Sequence, residues 1–183
     1  MRRNQTHREL TDFRKKLRSM PDDVDALSEL ASVYMESGRS ADAVVVLQQL
    51  LAKRPHDTRA MIDCGTCYRR LGLLEPAAGE FERAARIAPD SAPARYNLGR
   101  VYDLMGRFED AVEQHRAAIE LAPDDAEPHY RLGVTFARKH EFEEAAGSYE
   151  RAVEADYGCA KAHTNLGYTL DRLGRTDEAI LEF

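Results

Sequence analysis

The 183-residue sequence has no stretch of apolar residues that approaches the roughly 18 typical of a membrane-spanning helix. Its N-terminal segment, MRRNQTHREL, contains paired arginines with no apolar segment behind them, a pattern unlike that of a secretory signal. No low-complexity or Gly/Ser-rich tract interrupts the chain, which indicates one continuous domain. We therefore expect a cytoplasmic protein without a membrane partner.

The sequence also lacks the motifs of common active sites, namely a nucleophile elbow, a phosphate-binding glycine loop and a metalloprotease helix motif. Cys64 and Cys67 form a C-x-x-C pair, but a zinc site needs about four ligands and the third cysteine, Cys159, lies far along the chain. We interpret Cys64 as a small core residue. The sequence thus predicts no enzymatic activity, no cofactor and no metal site.

Basic residues are outnumbered by acidic ones, and the formal net charge is −6. The segment 1–23 holds seven basic and four acidic side chains, a balance of +3, so the remainder carries −9. A strongly acidic chain repels nucleic acid, which argues against that class of partner. The basic N-terminal segment is interpreted as a solvated helix face.

An internal repeat runs through the chain with the spacing that separates Pro21 from Pro55, and four columns of residues share its register. Shifting the sequence by this spacing aligns prolines (Pro21, Pro55, Pro89, Pro123), small residues (Ala31, Gly65, Gly99, Gly133, Gly167), alanines (Ala43, Ala77, Ala111, Ala145, Ala179) and glycines (Gly38, Gly72, Gly106, Gly174). A repeat array in which each unit contacts its neighbours is therefore expected.

One unit, residues 94–125, shows two amphipathic stripes at helical spacing. The first ends at Gly106, and the second begins near Phe108 and ends at Pro123, because proline cannot continue a helix. Each unit is thus predicted to be an antiparallel helix pair. Gly99 and Ala111 are small where the two helix axes should come closest, at roughly 8–10 Å.

This pattern resembles the tetratricopeptide repeat (TPR). The residues that fit the TPR pattern are Leu98, Gly99, Tyr102, Ala111 and Pro123. The resemblance implies an all-α fold, a right-handed superhelical array of antiparallel helix pairs. Four full repeats are predicted at 24–57, 58–91, 92–125 and 126–159, followed by an incomplete repeat at 160–183. Residues 1–23 are predicted to form a basic capping helix that shields the first repeat.

The chain departs from the repeat pattern in its last third and stops in the middle of a predicted helix. His140 replaces the turn glycine and Tyr157 replaces the terminal proline, so the region from Phe142 to Ala160 is expected to be packed more loosely than the other repeats. Leu170, Ala179, Ile180 and Phe183 are expected to form an exposed apolar face at this end. Two explanations stay open, a fragment of a longer protein and self-association through this face.

Three histidines invite an interpretation as metal ligands. His129 and His163 hold equivalent places in successive repeats, where packed helices lie roughly 10 Å apart, too far for one ion with bonds of about 2.0 Å. His115 stands in the column of Phe81 and Tyr149, so we interpret it as a packed core residue.

Proteins of the resembled family bind partners in a concave groove lined by the first helix of each repeat. In the second to fifth repeats the positions not used for packing carry eight basic residues against four acidic ones, Asp63, Asp103, Glu127 and Asp171. The candidate groove residues are Arg59, Arg69, Arg70, Tyr96, Asn97, Arg100, Tyr130, Arg131, Arg138, Lys161, Asn165, Tyr168 and Arg172. The planar guanidinium of arginine binds a carboxylate through two parallel hydrogen bonds, and a tyrosine ring can stack on a bound chain.

The sequence therefore predicts a scaffold or adaptor for protein–protein interaction, which holds an extended, acidic peptide or a free carboxylate in this groove. Two other interpretations remain. In the first, the charged side chains of the groove face water and bind no partner. In the second, the array is the targeting arm of a larger enzyme, such as a glycosyltransferase, with its catalytic part beyond Phe183.

Overall fold

The computed structural model describes residues 13, 15–16, 18–20 and 22–182. Between residues 22 and 182 the protein forms ten α-helices, and the described part of the chain contains no β-strand, so the predicted all-α fold is confirmed. The chain divides into two compact units, Met1–Pro89 (unit 1) and Asp90–Phe183 (unit 2).

Unit 1 contains four of these helices, and each packs against the next along the chain. They are α1 (Val24–Glu36), α2 (Ser40–Lys53), α3 (Thr58–Arg70) and α4 (Leu74–Ile87). Unit 2 contains six, packed in the same sequential manner. They are α5 (Ala92–Leu104), α6 (Phe108–Leu121), α7 (Ala126–Arg138), α8 (Phe142–Ala155), α9 (Ala160–Arg172) and α10 (Thr176–Glu182). In unit 2 the first helices α5 and α7 also contact each other directly.

A column of polar residues explains where the first helix of each pair begins. The side chains of Asp23, Asp57, Ser91 and Asp125 each accept a hydrogen bond from a backbone N–H in the first turn of the following helix, at 2.9 to 3.3 Å. Such N-caps satisfy amide groups that the helix itself leaves unpaired. The column ends at Cys159, whose side chain forms no cap for α9.

The turns inside the helix pairs all use one residue in the left-handed conformation. Glycine supplies it in four of the described turns, with φ between 74° and 76°, as at Gly106. In the turn between α7 and α8 the residue is His140, at φ 63°. Its backbone N–H donates to the carbonyl oxygen of Ala137 at 3.1 Å. The turn therefore keeps its geometry, although a non-glycine residue there costs roughly 1–2 kcal/mol.

Small residues on the first helices lie against large rings on the second helices. A Cβ atom added to Gly99 would lie 2.7 Å from the ring of His115, and one added to Gly133 would lie 2.6 Å from the ring of Tyr149. Gly65 lies against Phe81 in the same way, with a Cβ distance of 2.9 Å. The predicted close approach of α5 and α6 at Gly99 is confirmed.

The expectation for the C-terminal apolar face is wrong for two of its residues. Leu170 and Ala179 are both only 2% exposed, in a core cluster with Leu132, Phe136 and Tyr149. Burial follows because the short helix α10 packs back onto α9. Exposed apolar surface remains on α10, where Ile180 is 67% and Leu181 is 83% exposed. Phe183 lies outside the described residues.

The predicted capping helix of residues 1–23 falls largely outside the described part of the chain. Phe13, Lys15, Lys16, Arg18 and Ser19 are helical, and Phe13 is half-buried. Leu10 and Leu17, which share helical spacing with Phe13, lie outside the described residues. The capping role therefore stays a prediction.

Candidate functional site

The predicted groove residues all lie on the first helices of the pairs, in two separate sets. Arg59, Arg69 and Arg70 lie on α3 of unit 1. The other ten lie in unit 2, on three helices whose exposed sides we call the first-helix face: Tyr96, Asn97 and Arg100 on α5, Tyr130, Arg131 and Arg138 on α7, and Lys161, Asn165, Tyr168 and Arg172 on α9.

In unit 1, Arg70 and Arg59 of the set on α3 both interact with other groups of the same unit. Arg70 donates from Nη1 to the carbonyl oxygen of Met35 at 3.2 Å, which connects α3 to the end of α1. Burial raises the pKa of Asp63, and the exposed guanidinium of Arg59 opposes that rise. The Arg70 contact joins α3 to α1, whereas Arg59 and Asp63 both lie on α3, and neither contact by itself defines a binding site.

In unit 2 the carboxylate of Glu127 connects all three first helices. It accepts a hydrogen bond from the Tyr96 hydroxyl on α5 at 2.8 Å and from Arg131 Nε, one turn further along α7, at 3.0 Å. Lys161 of α9 forms an ion pair with its second oxygen. Arg131 and Lys161 are therefore already paired with a carboxylate and are not free to bind another at the same strength.

These contacts change the acidity of the groups involved. Burial raises the pKa of Glu127, but the hydrogen bonds from Lys161 and Tyr96 and the charge of Arg131 hold this pKa below its ordinary 4.5. Burial, followed by the hydrogen bond to Glu127, raises the pKa of Tyr96. The network is therefore built around an ionised glutamate and a neutral tyrosine at pH 7.

Stability should depend on the ionisation of Glu127 in acid. A carboxyl whose pKa is lower in the folded state contributes stability above its ordinary pKa of 4.5, and this is lost as the pH falls through the folded value. We expect Glu127→Gln to reduce the free energy of unfolding at neutral pH, and the difference from the parent protein to shrink below about pH 4.5. Urea unfolding at several pH values measures this difference. The same change at Glu143, an exposed residue of α8, is the control, and a pH-independent deficit in Glu127→Gln would contradict the network.

A pocket of about 350 Å³ opens on the first-helix face between α7 and α9. Four of the predicted residues meet there: Arg138, Asn165, Tyr168 and Arg172. The rest of the lining is mostly apolar and consists of Val134, Ala137, Phe142, Tyr149 and Thr169. The structure thus brings two arginines from neighbouring repeats to one apolar concavity.

Both arginines of this pocket are held by contacts other than ion pairs. Arg138 donates from Nη1 to the carbonyl oxygen of Asp103 at 2.7 Å, and its Cζ lies 4.8 Å from the ring centre of Phe108. Arg172 has its Cζ 5.1 Å from the ring centre of Phe142. Within the described part of the chain, neither guanidinium forms an ion pair with a carboxylate. Stacking on a ring orients a guanidinium and leaves its N–H groups directed outward.

The other predicted residues take three different roles. Asn165 donates from Nδ2 to the Tyr130 hydroxyl at 3.3 Å, which connects α9 to α7 beside the pocket. Arg100 lies over the Tyr96 ring, with its Cζ 5.3 Å from the ring centre. Asn97 donates to the carbonyl oxygen of Pro93 in its own helix at 2.9 Å, so its amide is engaged locally.

The prediction that Asp103 lies on the open inner surface is wrong. Asp103 is 6% exposed, and its carboxylate accepts from Thr135 Oγ1 at 2.8 Å and contacts His115 Nε2 at 3.0 Å. The side chain points into the joint of α5, α6 and α7 because both polar partners lie there. His115 is fully buried, which confirms its interpretation as a core residue.

Sequence reasoning missed five pocket residues, and one of them carried a detectable signal. Val134 belongs to the same repeat column as Arg100 and Tyr168, both of which were predicted to lie in the groove. An apolar residue in an otherwise polar groove column indicates a pocket floor or wall. Phe142 and Tyr149 lie on a second helix, so a search restricted to first helices could not find them.

The C-x-x-C cysteines and the two histidines considered as metal ligands are buried or hydrogen-bonded within the protein. Cys64 and Cys67 are completely buried, and burial raises the pKa of the Cys64 thiol to about 12. His129 and His163 each bond through Nε2 to a backbone carbonyl of the preceding loop, at 3.0 Å. Among the described residues, no group of three or more His, Cys, Asp or Glu side chains is arranged to hold a metal ion. None of the helices described has the length and apolar character of a membrane span.

Comparisons with solved structures support the same architecture. MamA from Desulfovibrio magneticus RS-1 matches with a TM-score of 0.81 at 22% identity, over 88% of this chain and 92% of that one. Another MamA crystal structure matches with a TM-score of 0.79 at 23% identity, over 84% and 90%. YrrB, described as a TPR protein with an unusual peptide-binding site, matches with a TM-score of 0.73 at 22% identity, over 93% and 88%. At these identities the likeness shows the fold.

Comparison with protein families is more specific. A family described as Tetratricopeptide repeat matches residues 28–92 and 130–183, which together make up more than half of the chain. Two further profiles, described as TPR repeat and Tetratricopeptide repeat, match residues 100–140 and 80–113. No curated protein matches. The periodicity of the sequence, the helix pairs and these matches together show that the chain belongs to the tetratricopeptide repeat family.

Proposed function

We propose that the protein is an interaction scaffold, acting by binding and not by catalysis, which holds an extended, acidic segment of a partner protein on the first-helix face of unit 2. One observation carries this proposal: Arg138 and Arg172 line the same pocket, and neither is paired with a carboxylate among the described residues. An acidic side chain or a chain terminus of the partner would complete their hydrogen bonds.

Local charge favours an acidic guest on a protein that is acidic overall. Arg100, Arg138 and Arg172 are not engaged in ion pairs within the part of the chain that is described, whereas Arg131 and Lys161 are used by Glu127. At physiological salt, charges more than about 8 Å apart are largely screened, so the nearby guanidinium groups outweigh the distant net charge of −6. Affinity should consequently fall as salt is raised.

An extended guest agrees with the chemistry of the remaining side chains. Asn165 and Tyr130 present an amide and a hydroxyl that can bond to the main chain of a bound segment. Tyr168, 63% exposed, offers a ring for stacking. The similarity to YrrB, a TPR protein with a peptide-binding site, supports a peptide as the class of partner.

A library of short random peptides tests the proposal without assuming a sequence. We expect the peptides retained by the protein to be enriched in Asp and Glu, and their affinity to fall by about tenfold or more in Arg172→Glu, as the loss of a charge-assisted contact requires. Arg86→Glu, the same charge change at an exposed residue of α4 in unit 1, is the matched control. Retained peptides without acidic enrichment, or equal losses in both variants, would overturn the proposal.

A further inference from the structure

Besides its two arginines, the pocket between α7 and α9 has an apolar lining that a purely acidic segment would not use. Tyr149 is 2% exposed and forms part of its floor, while Tyr168 is 63% exposed on its α9 side. Val134, Ala137 and Phe142 make the lining around them largely apolar. Exposed apolar surface in a concave site is typical of a place where a partner side chain is buried.

We propose that this pocket selects an apolar side chain, aliphatic or aromatic, that directly neighbours an acidic residue in the bound segment. The inference rests on the proposed function and specifies the partner further. Inside the pocket the apolar side chain would cover Tyr168 and Val134, and the neighbouring carboxylate would reach the guanidinium of Arg138 or Arg172.

The size of the pocket limits what it can hold. About 350 Å³ lies at the lower end of the roughly 300–1,000 Å³ found for ligand pockets. That volume accommodates one large side chain together with adjoining main chain. The pocket therefore takes one side chain of the partner, and the occupant that we assign is the extended segment of the proposed function with one apolar side chain inserted.

The bound segment needs both the apolar side chain and the acidic residue, because neither alone matches the whole lining of the pocket. A segment with only acidic side chains would leave the apolar lining in contact with water. A segment with only apolar side chains would cover two guanidinium groups and give their remaining N–H donors no acceptor, which is unfavourable. An apolar residue beside a carboxylate satisfies both surfaces at once.

The chain offers this combination locally and not along the whole first-helix face. At the position equivalent to Val134, helix α5 carries Arg100, whose guanidinium lies over the Tyr96 ring. The space between α5 and α7 also contains the Tyr96–Glu127–Arg131 contacts, which already pair their charges. Preference for an apolar residue should therefore be confined to one position of the bound segment.

Four synthetic peptides of equal length test the inference in the full chain. One carries a leucine next to two glutamates, the second has serine for leucine, the third glutamine for both glutamates, and the fourth both changes. By isothermal titration we expect the first to bind most tightly and the serine peptide about tenfold or more weakly, as the loss of one buried leucine implies. Equal binding of the leucine and serine peptides, with both far above the glutamine peptides, would overturn the inference and leave the proposed function intact. Equal binding of the glutamate and glutamine peptides would overturn the proposed function.

Two exposed tyrosines of unit 2 provide a matched pair of variants. Tyr168→Ala removes one side of the pocket, and Tyr157→Ala removes an 83% exposed ring in the loop before α9, outside the pocket lining. We expect Tyr168→Ala to abolish the advantage of the leucine peptide over the serine peptide, and Tyr157→Ala to retain it. Circular dichroism of both variants checks that helicity is unchanged. A leucine advantage that survives Tyr168→Ala in a folded protein would place the apolar contact elsewhere and overturn the inference.

Discussion

Replacing His115 with alanine is expected to lower the free energy of unfolding by about 3–5 kcal/mol, the range for deleting a large buried ring. The ring is completely buried, and Gly99 of α5 lies directly against it. Its loss leaves a cavity at the centre of the α5–α6 pair. It also deprives the buried carboxylate of Asp103 of its contact with Nε2, which adds to the cost. Urea unfolding followed by circular dichroism measures the change.

Three variants, His115→Phe, Asp103→Leu and the two changes together, separate packing from hydrogen bonding at this position. His115→Phe fills the space as Phe81 does in unit 1 but leaves Asp103 without its ring partner, so we expect a loss of about 1–3 kcal/mol. Adding Asp103→Leu to that variant removes the carboxylate as well, and the double variant should be more stable than His115→Phe alone. His115 Nδ1 has no hydrogen-bond partner among the described residues, so only the Nε2 contact is lost. Additive effects of the two changes would contradict the coupling between these residues.

Replacing Gly99 with leucine is expected to lower the free energy of unfolding by about 1–3 kcal/mol, the typical cost of overpacking a core. A first side-chain carbon there would lie 2.7 Å from Cε1 and Nδ1 of His115, closer than real atoms approach. The ring is enclosed on all sides, so it cannot move away without displacing its neighbours. A thermal scan and a urea titration both report the loss.

Gly147→Leu provides the matched control in the same unit. Gly147 lies in α8, and a Cβ atom added there would meet no other heavy atom within 4 Å. Because glycine is about 1 kcal/mol less favourable than good helix formers, this variant should be as stable as the parent or more so. Equal destabilisation by leucine at Gly99 and at Gly147 would show that the α5–α6 contact is not the cause.

The sequence by itself determined the repeat and the local structure within it. Capping residues such as Asp57 and Ser91 recur at the start of the first four repeats, and turn glycines such as Gly106 recur with the same spacing in every repeat but the fourth. Each of these features acts through its own residue and the few that follow, so its effect can be read from spacing alone. The small residues at Gly65, Gly99 and Gly133 were equally visible, because a helix pair needs them wherever its axes come close.

Tertiary structure decided which of the predicted groove residues are already paired with a carboxylate of the chain itself. Arg131 and Arg138 look alike in the sequence, yet Arg131 pairs with Glu127 at 3.0 Å while Arg138 lines the pocket. Asp103 looked exposed and is buried against His115 and Thr135. The repeat period places a side chain on a helix, but the partner that it meets depends on the distance and rotation between neighbouring helices. Those are set by the packing of rings such as Tyr149, which no local pattern specifies.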